Sequence, residues 1–320
     1  MIEKRFAILA DPESKSWNFA QRVFDNLRLK SDEFTLNKIT IKEFRDGEIK
    51  PQISDNIRGR VCFFIHDSNK YPGKWFLELC LINEALKKSA ASGIIDVLPY
   101  FKFARQDRKD EPRVPISAEV VADVIELYAD GVLTLDVHTP AIDGFFKIRF
   151  DNLHSFESVV KYLKEKKVID FSNMVVMSPD AGGAARANSF AKYMGINDIA
   201  IGYKVRKEAG EVGDFKVLGD VKNKDVFIVD DIVDSGNTLV RAVETLKLLG
   251  ARKIYGYCAH GLFTKGLDYV LSSFDKFYVG DTISQQAHEK LEVISFANLF
   301  AEAIYRVSQG MSLSELFKDK

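Results

Sequence analysis

Thiol chemistry has little to work with in this chain. It carries three cysteines, Cys62, Cys80 and Cys258, widely spaced and with no C-x-x-C pair. That excludes the usual zinc and dithiol-redox spacings. Cys62 and Cys258 lie in apolar runs and read as buried, reduced thiols. An excess of charge of one sign is also missing. Lys and Arg number 45 against 46 Asp and Glu, a formal net charge of -1. A general nucleic-acid binder shows a basic excess, so none is expected here. Small anionic ligands stay open, because local charge decides those. No apolar run approaches the ~20 residues that span a bilayer. Residues 1–10 hold neither a long apolar segment nor a cleavage signature. We therefore expect a soluble, cytoplasmic protein with no membrane partner. The Walker phosphate loop, G-x-x-x-x-G-K-[ST], is absent as well. A bound triphosphate would have to be held another way.

What is present is an alternation. The 320 residues suit two domains of ~150 each. Short apolar runs alternate with amphipathic stretches, which is the pattern of α/β proteins. Strands are expected at 6–10, 60–65, 94–98 and 132–137, and helices at 16–29, 74–91 and 117–128. Residues 101–115 are highly charged and contain Pro112 and Pro115, so they read as a long mobile loop. The second half repeats the rhythm. Strands are expected at 174–177, 225–229 and 254–259, extended chain at 199–206, and helices at 182–193 and 238–249. Gly250 is well placed to end the last of these. Residues 60–67 (RVCFFIHD) parallel residues 224–231 (KDVFIVDD). This hints at duplicated α/β domains, 1–153 and 154–320, with the boundary near 152–155.

The most informative segment is Val226-Phe-Ile-Val-Asp230-Asp231-Ile-Val-Asp234-Ser235-Gly236-Asn237-Thr238. A buried strand is expected to end in two carboxylates, followed by a polar turn and a helix start. Backbone N–H groups in such a turn converge, and the helix N-terminus adds partial positive charge. A phosphate monoester fits there. Ser235 and Thr238 hydroxyls can add hydrogen bonds, and Gly236 lets the chain pass close to the ligand. Asp230 and Asp231 would repel that phosphate. They should face ribose hydroxyls or a metal bound to them. The plain alternative is a capping turn, with Asp234 or Ser235 as N-cap.

This pattern resembles the 5-phosphoribosyl-1-pyrophosphate (PRPP) motif shared by phosphoribosyltransferases and PRPP synthetases. That family usually has Gly where this chain has Asn237, and Asn tolerates a left-handed conformation better than most residues. Residues 100–110 (YFKFARQDRKD) and 113–118 (RVPISA) resemble the nucleotide loop of the synthetases. So do 44–48 (FRDGE), 133–138 (LTLDVH), 178–183 (SPDAGG), 259–263 (AHGLF) and 299–304 (LFAEAI). The resemblance runs over nearly the whole chain in the family's order.

It implies two similar phosphoribosyltransferase-type domains, each a mainly parallel sheet flanked by helices. It also implies transfer of pyrophosphoryl from Mg·ATP to ribose 5-phosphate. Arg105, Gln106, Asp107 and Lys109 would hold the nucleotide. Phe44, Asp46, Gly47 and Glu48 would complete that site from a neighbouring subunit, in a homo-oligomer that the resemblance makes a hexamer. In an extended chain Asp46 and Glu48 would share a face. His138 and Asp180 match magnesium-associated positions. Mg²⁺ prefers oxygen ligands, so Asp180 is the better direct ligand. Lys204 and Arg206 match the catalytic pair. Ribose 5-phosphate would lie on Arg206, Asp230, Asp231 and the 234–238 turn. The chain departs from the family at residues 66–75 (HDSNKYPGKW), at Tyr203 and at Val205. These departures touch regulation and assembly. A non-catalytic regulatory relative is the alternative, though such a chain would be expected to lose Lys204, Arg206 or the Asp-Asp turn.

Overall fold

The computed structural model describes residues 4–204 and 215–317. The chain divides into two compact units. The first runs to His154 and takes back Thr282–Ser284 and the chain from Phe296. The second comprises Ser155–Asp281 and Gln285–Ser295.

In the first unit β1 (Phe6–Ala10) leads through α1 (Trp17–Arg28) to the hairpin β2 (Phe34–Glu43) and β3 (Ile49–Ile53). Then follow β4 (Val61–Ile65), α2 (Pro72–Lys88), β5 (Gly93–Leu98), α3 (Ser117–Ile125), β6 (Gly131–Leu135) and β7 (Arg149–Leu153). The sheet order is β3-β2-β1-β4-β5-β6-β7. All neighbours are parallel except β2 and β3. β1 and β4–β6 are nearly continuous apolar runs, which suits strands covered on both faces.

The second unit starts with α4 (Phe156–Lys166), β8 (Met174–Ser178), α5 (Ala184–Met194), β9 (Ile199–Lys204) and β10 (Phe215–Leu218). It continues with β11 (Asp225–Val233), α6 (Asn237–Leu248), β12 (Ile254–Gly261), α7 (Leu267–Leu271), β13 (Lys276–Gly280) and β14 (Leu291–Ile294). Its order, β10-β9-β8-β11-β12-β13-β14, repeats that of the first sheet position by position. β9 and β10 form its antiparallel edge. β4 and β11, the two segments whose sequences parallel each other, hold the same place. Duplication of one α/β plan is thus a property of the fold.

Two expectations need correction. Residues 154–320 do not form one unit. α8 (Ala297–Ser308) turns Phe300, Ala301, Ala303 and Ile304 inward and packs on α1 of the first unit. Phe300 meets Phe19 edge to face at 5.5 Å, and Glu302 binds Lys30 at 2.6 Å. A local apolar periodicity says that a helix is buried but not against which sheet. β11 is also longer than expected. It runs to Val233, with Asp230 opposite Cys258 and Ile232 opposite His260 on β12. The carboxylate pair therefore lies within the strand, because the β12 ladder continues past it. The three thiols are free, with Cys62 and Cys258 buried. Burial pushes the Cys62 thiol up to about 12, out of the reactive range.

Candidate active site

In each sheet the strand order reverses at one point, between β1 and β4 or between β8 and β11. Loops at the carboxyl ends of such neighbours diverge and leave a crevice. In the second unit the loop after β8 carries Asp180. β11 carries Asp230 and Asp231, and the turn after it is Asp234–Thr238.

The carboxylate pair is braced by a residue that the sequence reading missed. Arg186, in the first turn of α5, places Nη1 3.3 Å from Asp230 Oδ1 and Nη2 3.2 Å from Asp231 Oδ1. Gly183 makes this approach possible. A Cβ there would lie 2.4 Å from Ser178 Oγ and 3.2 Å from Arg186 Nη1. Asp180 Oδ1 accepts the Gly183 N–H at 2.9 Å, which fixes the loop. Burial pushes the Asp230 carboxyl well above its usual range. The adjacent Asp231 charge adds to this, Arg186 opposes it, and Asp180 raises it further. One guanidinium for three carboxyl groups leaves a local excess of negative charge, a setting that favours an added cation.

The turn itself begins with Asp234, tied down at both ends. Its carbonyl accepts the Thr264 N–H at 2.9 Å, and its Oδ1 accepts the Thr264 hydroxyl at 2.8 Å. Gly236 adopts φ +76 and ψ 0 as the residue before α6. The left-handed residue is thus Gly236. Asn237 already belongs to the helix, so its tolerance of that conformation is not what admits it. The N–H groups of 237 and 238 open α6 without intrahelical acceptors. The N-cap position itself is held by Gly236, so neither Asp234 nor Ser235 occupies it.

The corresponding crevice of the first unit is filled by its own side chains. Lys70, in the loop after β4, binds Glu78 of α2 and lies 3.4 Å from Asp11 in the loop after β1. Asp67 accepts the Lys15 N–H at 3.3 Å and the Asn69 N–H at 2.9 Å. His66 stacks on Trp75 and meets its carbonyl at 2.9 Å. Burial pushes this imidazole down to about 3. His66, Asp67, Asn69, Lys70 and Trp75 belong to the divergent 66–75 stretch, which is thus held by packed polar contacts.

The nucleotide candidates of the first unit fall into separate places. Phe44–Glu48 is the turn of the β2–β3 hairpin, not extended chain. Phe44 N–H donates to Glu48 O at 2.7 Å, Gly47 N–H to Phe44 O at 3.0 Å, and Glu48 N–H to Asp46 Oδ1 at 3.1 Å. Asp46 and Glu48 therefore do not share a strand face. The turn borders an open hollow of about 570 Å³ lined by Lys42, Glu43, Phe44, Arg45, Asp46 and Glu48. Phe44 stays 42 % exposed, with the Lys42 ammonium 5.5 Å from the centre of its ring. Arg105, Gln106, Asp107 and Lys109 lie in the irregular chain between β5 and α3. That loop is anchored at its start, where Tyr100, Phe101, Lys102 and Ala104 are buried. The Gln106 amide donates to Asp110 Oδ1 and to Arg108 O, both at 3.1 Å. β2 and β5 stand three strand positions apart, about 14 Å at ~4.8 Å each. The hairpin turn and the Arg105 loop thus leave the sheet from different strands. His138 is exposed in the bend after β6. Lys204 closes β9, paired with Phe215, and Arg206 lies outside the described residues.

The chain is 39% identical over 308 residues to a ribose-phosphate pyrophosphokinase of Campylobacter jejuni, covering 95% of this chain and 97% of the relative. The chain belongs to the ribose-phosphate pyrophosphokinase family. A Rhizobium meliloti member is 42% identical over 290 residues, 88% of this chain and 92% of its own. Residues 12–128 match the N-terminal domain of ribose phosphate pyrophosphokinase, and 204–318 the phosphoribosyl synthetase-associated domain. The crystal structure of phosphoribosylpyrophosphate synthetase from Mycobacterium smegmatis superposes with a TM-score of 0.83 at 28% identity, covering 96% of this chain and 100% of that one. Family membership gives the 234–238 turn its context, but Arg186, Thr264, Lys265 and Tyr269 emerge from the structure. They come from α5 and from the chain after β12, and no short motif joins them to β11.

Proposed function

We propose that the protein transfers the β,γ-pyrophosphoryl group of Mg·ATP to the anomeric hydroxyl of ribose 5-phosphate. The products are 5-phosphoribosyl-1-pyrophosphate and AMP, for nucleotide biosynthesis. The observation that carries this is the Arg186-braced Asp230–Asp231 pair at the strand-order reversal, two residues before a turn whose Gly236 is left-handed and opens α6, in a chain of this family. The 5-phosphate would take the N–H groups of 235–238 with the Ser235 and Thr238 hydroxyls. Asp230 and Asp231 would accept from the ribose hydroxyls. The sugar is then held at both ends, which fixes its anomeric oxygen.

That oxygen attacks the β-phosphorus. Its bond to phosphorus forms as the bond from the β-phosphorus to the α,β-bridging oxygen breaks. AMP departs with the bridging oxygen, and the hydroxyl proton passes to solvent. Such transfers depend on alignment and on neutralising charge. Lys204 and Arg206 would meet the transferring group and the AMP-side oxygens. Removal of one such contact typically lowers the rate ~10²–10³-fold. Arg105, Gln106, Asp107 and Lys109 would hold the triphosphate in place of a Walker loop. Phe44 would offer its ring to adenine, with Asp46, Gly47 and Glu48 beside it. The separation of these two groups within one chain supports a nucleotide site completed by a second subunit, hence a homo-oligomer, a hexamer by family resemblance.

Mg²⁺ keeps several waters and is bound through one or two carboxylates plus substrate phosphates. Among the described residues no group of three His, Cys, Asp or Glu side chains could hold a metal ion. The crowded carboxyls of Asp180 and Asp230 fit a metal that arrives with the nucleotide, with Asp180 as direct ligand and His138 acting through water. When bound, Mg²⁺ supplies charge neutralisation on the phosphoryl oxygens. A soluble, cytoplasmic setting suits these substrates.

The test is to incubate the purified protein with Mg·ATP and ribose 5-phosphate and to follow products by phosphorus NMR. AMP together with a sugar-linked diphosphate is expected. ADP with a sugar monophosphate product would place attack at the γ-phosphorus and overturn the reading. Binding of both substrates without turnover would instead indicate a regulatory subunit.

A further inference from the structure

Two side chains from outside the turn converge on its Asn237. Lys265 Nζ donates to Asn237 Oδ1 at 2.9 Å, and the Tyr269 hydroxyl donates to the same oxygen at 2.8 Å. The ammonium also lies 5.0 Å from the centre of the Tyr269 ring. All three side chains are exposed. Bonds of this kind add little to stability, because ordering a long exposed Lys costs about what the contact returns. Yet the arrangement is held from several sides. Thr264, next in the chain, is pinned to Asp234 by the two bonds already described. Tyr269 stands on α7 under the ring contact.

The placement matters because of what Asn237 is. It is the first residue of α6, where the opening N–H groups lack intrahelical acceptors. Its Oδ1 uses one N–H of the ammonium, and an ammonium has three. Two remain for an anion in the turn. Arg186 is engaged by Asp230 and Asp231, so it does not serve the phosphate. A glycine at 237 would leave both Lys265 and Tyr269 without this acceptor.

We propose that Lys265 is a further recognition residue for the 5-phosphate of the sugar, with Asn237 and Tyr269 as the residues that position it. The inference rests on the reading of 234–238 as the phosphate cradle. It adds a charge that selects the phosphorylated sugar over the free one.

Steady-state kinetics test it. Lys265→Met is expected to raise the KM for ribose 5-phosphate about tenfold, the usual effect of losing one charge-assisted hydrogen bond. The KM for ATP and the melting temperature should hold. The rise should shrink at high ionic strength, where the wild-type contact is screened. Lys265→Arg should recover most of the affinity, and Asn237→Gly should give a smaller rise in the same KM. A KM within twofold of wild type in Lys265→Met, while Thr238→Val raises it, would overturn this inference alone. A lowered melting temperature with unchanged KM would do the same, since it marks a structural strap. If Thr238→Val also left the KM unchanged, the phosphate-cradle reading would fall with it.

Discussion

Arg186 on α5 and Asp230 on β11 stand 44 residues apart and meet at 3.3 Å. The other guanidinium nitrogen takes Asp231, whose side chain is 5% exposed. Removing the cation leaves a nearly buried carboxylate pair uncompensated. Such losses cost about 3–5 kcal/mol. Arg186→Met is expected to lower the melting temperature and to reduce kcat/KM for ribose 5-phosphate ~10²-fold. Arg186→Lys should sit between, because a point charge cannot serve both carboxylates as the planar fork does. Thermal melts and initial rates check both. An unchanged kcat/KM in Arg186→Met would show that the pair works without its brace.

Gly236 is constrained twice. Its φ of +76 is strained for a residue with a side chain, and a Cβ would lie 2.2 Å from Val270 Cγ2. Gly236→Ala is expected to destabilise by about 1–3 kcal/mol and to raise the KM for ribose 5-phosphate. Adding Val270→Ala removes the clash but not the backbone strain, so recovery should be partial. Urea denaturation of the single and double variants reads the coupling. Simple additivity would mean that the turn moves away from α7 at no cost.

How much of this was legible in the sequence depends on range. The α/β alternation and the turn at 234–238 are local patterns, and both could be read. The parallel between 60–67 and 224–231 correctly indicated matching strands β4 and β11, because both are central, doubly covered and therefore apolar. The destination of α8 could not be read, since an apolar stripe does not name its partner. Asp46 and Glu48 lie in a turn and not in extended chain, because Asp46-Gly47 is a hairpin signal that outweighs the two-residue spacing. The extension of β11 through Asp230 and Asp231 runs against the low strand propensity of Asp. Ladder bonds to β12 override it. Arg186, Lys265 and Tyr269 are brought in by tertiary contacts, and nothing in their own neighbourhood marks them.

The filled crevice of the first unit makes a separate prediction. Glu78 is 1% exposed and its charge is met by Lys70. Burial holds the Glu78 carboxyl above its ordinary range, and the Lys70 ammonium opposes this. Lys70→Met should destabilise by about 3–5 kcal/mol at neutral pH. The carboxyl can escape by taking up a proton, so the loss should be smaller at low pH and grow as pH rises. Glu78→Gln added to Lys70→Met should return most of the stability. Denaturant titrations at two pH values check this. A loss that does not vary with pH would mean that Glu78 finds another cation.

Asp96, in β5, is fully buried. Asn83 Nδ2 donates to its Oδ2 at 2.8 Å, while Asp96 Oδ1 and Asn83 Oδ1 have no partner. Both acceptors lack a donor, and a protonated carboxyl supplies one. Burial pushes this carboxyl up to about 7, with the Asn83 bond opposing. In the unfolded chain it titrates near 3.9. Below that value both states hold the proton and the stabilising contribution is fully present. Between about 4 and 7 the folded state keeps a proton that the unfolded state has lost. Stability therefore falls as pH rises, by up to ~1.4 kcal/mol per unit, and levels off above about 7. Asp96→Asn stays neutral throughout and can both donate to and accept from Asn83. The difference in stability between Asp96→Asn and wild type should grow in the variant's favour from pH 5 to pH 8. Taking the difference cancels the other carboxyls. Parallel curves would show that Asp96 ionises in the fold as readily as in water, and that burial alone does not hold its proton.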